Sequence, residues 1–174
     1  PNFQNKLFVG IKYGVDGKHV AMSIATKVDE KIFVESIDCQ SVRNGNTWII
    51  SFLKEADIEK VVIDGSGSQQ ILSDEIKDYG IKLKPVLPKV SDVVVANNMF
   101  EQAVTSSKNI CHNDQPSLKQ IVTNCKRRAI GTNGGFGFKA MMEEHEIALL
   151  DSVILAHWAC ATYKGVKKKQ KISC

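Results

Sequence analysis

Three apolar-rich segments, residues 6–14, 19–28 and 31–38, are joined by turns too short to let the chain cross a sheet. The first turn reads Val15-Asp16-Gly17-Lys18, and Asp-Gly between apolar runs is a strong hairpin signal. The second is the polar step Asp29-Glu30. A parallel connection needs a dozen or more residues. The three segments are therefore expected to run antiparallel, as a meander.

After the meander the pattern changes. Residues 44–60 carry Trp48, Ile49, Phe52 and Leu53 at helical spacing, with Asn46 or Thr47 as the cap. The run Val61-Val62-Ile63 reads as a buried strand ending on Asp64. A helix between two strands implies a crossover, and so a parallel pairing with an earlier strand. Further along, the spacing predicts a helix over 69–79 closed by Gly80, a strand over 81–88 stopped by Pro88, and a helix over 90–107. A short strand over 109–112, a helix over 117–125, a hairpin over 127–140 built on Asn133-Gly134, and a closing helix over 144–165 complete the order. Residues 1–165 read as one domain and 166–174 as a solvated basic tail. The fold class is α/β: a mixed central sheet, three antiparallel strands and then parallel ones, with helices on both faces. This is the order expected of an RNase H-like domain.

A chain of 174 residues with 43% hydrophobic and 24% charged residues has enough material for a real core. It contains no apolar run near the ~20 residues of a membrane span, and no membrane partner is expected. The first ten residues lack a signal-peptide profile and an initiator Met, and read as a cut domain edge. The five cysteines are scattered and odd in number, and none forms a C-x-x-C pair, so reduced thiols are expected rather than a zinc site or disulfide framework. A net charge of +4 permits nucleic-acid binding without requiring it.

Two acids stand in apolar surroundings. Asp64 ends the 61–64 strand and is followed by Gly65-Ser66-Gly67-Ser68; in open α/β sheets the carboxyl ends of strands are where ligands bind. Asp151 lies in the closing helix among Leu149, Leu150, Val153, Ile154 and Trp158. An unpaired carboxylate in such a place is costly. Taken singly, Asp64 reads as a helix cap or loop anchor, and Asp151 equally as the partner of a Lys or Arg or as a metal ligand. Taken together, they point to a shared counter-charge, best met by Mg²⁺ or Mn²⁺, since hard cations prefer carboxylate oxygens. The Gly65–Gly67 loop lacks the third glycine of a nucleotide-binding fingerprint.

The segments KVVIDGSGSQQILSDEIKDYGIK, PVLPKVSDVVVANNMFEQAV, ICHNDQPSLKQIVTNCKRRAIGTNGGFGF and IALLDSVILAHWAC resemble, in order and spacing, the nuclease domain of tailed-phage terminase large subunits, from about residue 7 to residue 160. The resemblance implies an RNase H-like fold and a two-ion Mg²⁺ or Mn²⁺ endonuclease that cuts concatemeric double-stranded DNA during packaging in the host cytoplasm. It implies an N-terminal ATPase domain in the same protein, and a terminase small subunit and a portal as partners. No G-x-x-x-x-G-K-[ST] phosphate loop occurs in this chain. By the resemblance Asp64 and Asp151 are the second and third metal-binding, catalytic acids. The first acid is expected in the middle of strand one, where Lys12 stands; Asp16 is the nearest carboxylate and the candidate third ligand, and its other role is to form the Asp-Gly turn. Lys12 beside Asp64 predicts a salt bridge where an ion would otherwise sit. That leaves two further readings open: an impaired DNA-binding or assembly module on the same fold, and another RNase H-like nuclease such as a junction resolvase.

Lys126, Arg127, Arg128 and Lys139 surround the glycine-rich 127–140 hairpin and are candidates for contact with DNA phosphates, against the alternative of a solvated charged turn. Glu143, Glu144 and Glu146 suit a helix N-terminus. His157, six residues after Asp151, reads as a packing residue.

Overall fold

A computed structural model describes residues 6–107, 110–112 and 143–165. Among these residues the sheet has five strands: β1 (Leu7–Tyr13), β2 (His19–Val28), β3 (Lys31–Ser41), β4 (Ile58–Asp64) and β5 (Ile110–His112), in the order β4-β1-β2-β3-β5. β1 and β3 both pair antiparallel with β2, which is the meander the short turns require. Asp16 Oδ1 accepts the Lys18 amide at 3.0 Å and closes the first turn, while Asp29 takes a positive φ of 55° in the second. β4 lies parallel to β1 and β5 parallel to β3. Helix α1 (Thr47–Glu55) makes the crossover into β4; α2 (Ser68–Asp78), α3 (Val90–Gln102) and α4 (Glu144–Thr162) follow. A π-helical turn, Ala103–Ser107, continues α3.

Strand alternation sorts the core into two halves. Val9, Ile11, Val61 and Ile63 point to one face and pack with Ile49 and Leu53 of α1 and Leu72 and Ile76 of α2. Phe8, Val34 and Val62 point to the other and pack with Phe100 of α3 and Leu150, Val153 and Ala156 of α4. The chain is thus a mixed α/β sheet covered on both faces, with the antiparallel-then-parallel order of an RNase H-like domain.

Several expected boundaries shift. α1 is confined to Thr47–Glu55 because Gly45 takes a positive φ of 74° before it and Ala56 turns extended after it. β4 therefore begins at Ile58 rather than at residue 61. β3 runs on to Ser41, past a register irregularity at Met22/Ser23. The strand expected over 81–88 reduces to a single bridge, Val62 to Val86, with Ile63 N donating to Val86 O and Val86 N to Val61 O, each at 2.9 Å. Pro88 has no N–H for the next bond of that ladder. The expected helix over 117–125, the hairpin over 127–140 and the tail 166–174 lie outside the described residues.

Candidate functional site

The parallel register of β1 and β4 sets Lys12 directly opposite Asp64. Both lie on the face that α4 covers, because Phe8 and Val62, an even number of residues away, pack into the α4 cluster. Lys12 Nζ donates to Asp64 Oδ2 at 2.6 Å, and the two side chains are only 13% and 20% exposed. This is a charge-assisted contact in partly desolvated surroundings, where each charge needs the other.

Helix α4 crosses this face at very close range. A Cβ built on Gly10 would overlap the Ser152 carbonyl oxygen and lie 2.5 Å from the Ala156 nitrogen. Just past the end of β1, a Cβ on Gly14 would lie 3.9 Å from Ala148 Cβ. The helical turn 148–152 therefore passes the stretch of β1 between Gly10 and Gly14, which contains Lys12. Asp151 belongs to that turn and is half-buried. Its neighbour Ser152 is fully buried and shares a 2.6 Å hydrogen bond with Ser23 of β2.

The strand tip is held from the other side as well. Gly65, at φ 140°, brings its backbone against Tyr13; a Cβ there would sit 2.5 Å from Tyr13 Cβ. Tyr13 Oη donates to Asn46 Oδ1 at 2.8 Å, and Asn46 Nδ2 donates to the Glu75 carboxylate at 3.3 Å. Of the two cap residues the sequence offers, Asn46 stands at the N-cap of α1, but its side chain makes no cap bond and joins β1 to α2 instead. Burial, and then the Glu75 charge, push the Tyr13 hydroxyl well above its ordinary pKa, so it stays a donor.

The other candidates fall elsewhere. Asp16 is exposed in the turn it closes. Lys126, Arg127, Arg128 and Lys139 lie outside the described residues. Glu144 and Glu146 occupy the first turn of α4, and exposed His145 Nδ1 lies 3.5 Å from Glu143 Oε2. His157 is buried edge-on to Phe100, with ring centroids 5.6 Å apart, and desolvation lowers its pKa to about 4. Sequence reasoning missed Gly10, Gly65, Tyr13 and Ser152 as the groups that fix the two acids' elements. Of these only Gly65, directly after a strand-end acid, carried a local signal.

A divalent-ion pair does not fit these residues as they stand. The Asp64 carboxylate already holds the Lys12 ammonium. Among the described residues no three His, Cys, Asp or Glu side chains are grouped so as to hold an ion. Nor, among them, is any helix long and apolar enough to cross a membrane.

The fold and the strand-tip acid define an RNase H-like α/β domain with an ion pair at the carboxyl edge of its central strands. No protein-family model matches the chain, and no curated protein matches it. Among solved structures it is similar to the large terminase from a thermophilic bacteriophage. In one crystal form the identity is 14% and the TM-score 0.49, over 88% of this chain and 40% of that one. In a second form the values are 16% and 0.46, over 71% and 32%. The chain thus spans well under half the length of those terminase chains. Strand order and register, rather than this likeness, define the fold.

Proposed function

We propose that this chain is the RNase H-like domain of a phage DNA-packaging terminase large subunit, and that it engages double-stranded DNA without cutting it. The ion pair between Lys12 and Asp64 carries this reading: the strand-tip acid is neutralised by a side chain of its own domain. A lysine ammonium satisfies a carboxylate but offers no open coordination position at which a water could be activated. In this reading the domain works in the host cytoplasm beside an ATPase domain of the same protein, a terminase small subunit and a portal.

A second reading is the divalent-metal-dependent endonuclease, with Asp64 and Asp151 as its acids and Asp16 as a third. The passage of α4, which carries Asp151, across the face that carries Asp64 favours it.

Duplex binding followed by fluorescence anisotropy, together with supercoiled-plasmid cleavage in Mn²⁺ or Mg²⁺ with and without chelator, tests both. Salt-sensitive duplex binding without nicking is the expected result. Chelator-sensitive nicking that is lost in Asp64→Asn establishes the second reading, and preference for branched over linear substrates makes it a resolvase. Failure to bind duplex DNA under any condition overturns the proposal.

A further inference from the structure

Resting on the reading of Asp64 as the acid of this face, we propose that Lys12 is a resident counter-ion: its ammonium stands in for a divalent cation between β1 and β4, so that a single side chain closes the centre to metal.

The geometry supports this at each step. Lys12 and Asp64 are direct partners in a parallel ladder, so their side chains leave the sheet side by side. They meet at 2.6 Å, and neither is more than one-fifth exposed. α4 roofs the position through backbone contact with Gly10, and the turn that carries Asp151 passes over the same stretch of β1. A carboxylate at the strand tip requires a cation in such a place, and Lys12 is the cation provided.

The chemistry of the exchange follows from register. A carboxylate at position 12 would face Asp64 across the same gap. Two like charges there repel unless a cation lies between them. Paired carboxylate oxygens, with Asp151 on the overlying helix, are the hard donors that Mn²⁺ and Mg²⁺ prefer. Lys12 removes one of those donors and neutralises another. The same backbone therefore specifies a closed centre with lysine at position 12 and an open one with aspartate.

The test uses Mn²⁺ alone, without DNA, so its outcome is independent of whether the chain binds duplex. Mn²⁺ binding is read by water-proton relaxation, and stability by Tm with and without millimolar Mn²⁺. Wild type is expected to show no relaxation enhancement and a Tm change within about 1 °C. Lys12→Asp is expected to gain enhancement and to rise by several degrees in Mn²⁺, both gains vanishing in Lys12→Asp/Asp64→Asn. Lys12→Met supplies a second readout that does not depend on the aspartate variant folding well. It leaves Asp64 without its counter-charge, and its Tm is expected to fall by about 5 °C or more. The proposal is overturned if wild type binds Mn²⁺ in a way that Asp64→Asn abolishes. It is equally overturned if folded Lys12→Asp gains no Mn²⁺, or if Lys12→Met is as stable as wild type.

Discussion

Gly10 of β1 lies against the backbone of Ser152 in α4 with no room for even one methyl group between strand and helix. This contact sets the height of α4 above the sheet, and with it the position of Asp151. Gly10→Ala must push two backbones apart, since neither the Ser152 carbonyl nor the Ala156 amide can turn aside as a side chain would. Overpacking of this kind costs about 2–3 kcal/mol, a Tm fall of about 5–10 °C for a chain of this size. Denaturant unfolding measures it; an unchanged midpoint would mean that α4 rides higher than the structure places it.

The buried hydroxyls of Ser23 and Ser152 tie the same helix to β2. Ser152 Oγ donates its proton to the Leu149 carbonyl at 2.7 Å, so Ser23 is the donor in the 2.6 Å contact between the two hydroxyls. Ser152→Ala strands the Ser23 hydroxyl in the core and is expected to cost about 1–3 kcal/mol. Ser23→Ala leaves Ser152 its bond to Leu149 and is expected to cost about 1 kcal/mol. In the double variant the losses should fall short of additivity by at least about 0.5 kcal/mol. Strict additivity in a double-mutant cycle would contradict the pairing.

Protonation of His157 opposes folding. Its ring is buried against Phe100, and desolvation lowers its pKa from 6.5 to about 4. The unfolded chain therefore binds this proton more readily than the folded one, and stability rises with pH between these values. The contribution is fully present above pH 6.5 and is lost as pH falls toward 4, by about 3 kcal/mol in all. His157→Phe removes the titrating group, so its stability should depend less on pH across that window. A slope as steep as that of wild type would show that other groups govern the acid side.

Much of this architecture is written in local pattern. The turns at Asp16-Gly17 and Asp29-Glu30 force the meander, and a helix before the Ile63-Asp64 strand end forces a parallel β4. The Lys12–Asp64 pair follows once β1 and β4 are laid in register, which is why a lysine near the expected acid position pointed to a salt bridge. What pattern does not reveal is contact between distant backbones. Nothing near Gly10 marks it as the seat of α4, since its partner is 142 residues away in the chain and is a carbonyl rather than a side chain. Asn46 shows the opposite difficulty: it stands at a cap position, but its Oδ1 accepts from the Tyr13 hydroxyl rather than from a helix amide. Of the strand expected over 81–88 only the Val62–Val86 bridge forms; Pro88 blocks the ladder beyond it, and apolar alternation alone does not show that residues 81–85 stay unpaired with β4.

The basic cluster Lys126, Arg127 and Arg128 lends itself to a measurement that does not depend on cleavage. If the chain grips duplex DNA by its phosphates, each neutralised phosphate releases counterions, and the logarithm of affinity falls with the logarithm of salt by about 0.9 per contact. Replacing all three with alanine should weaken binding to unrelated duplexes equally and flatten the salt slope by about 2–3. Asp64→Asn gives the contrasting case. It removes the partner of Lys12 and frees a positive charge on the α4 face, so it should leave the slope unchanged or steepen it. A triple variant that binds with wild-type affinity and slope would move the DNA contact away from this cluster. A loss confined to one DNA sequence would point to base contacts in place of phosphate contacts.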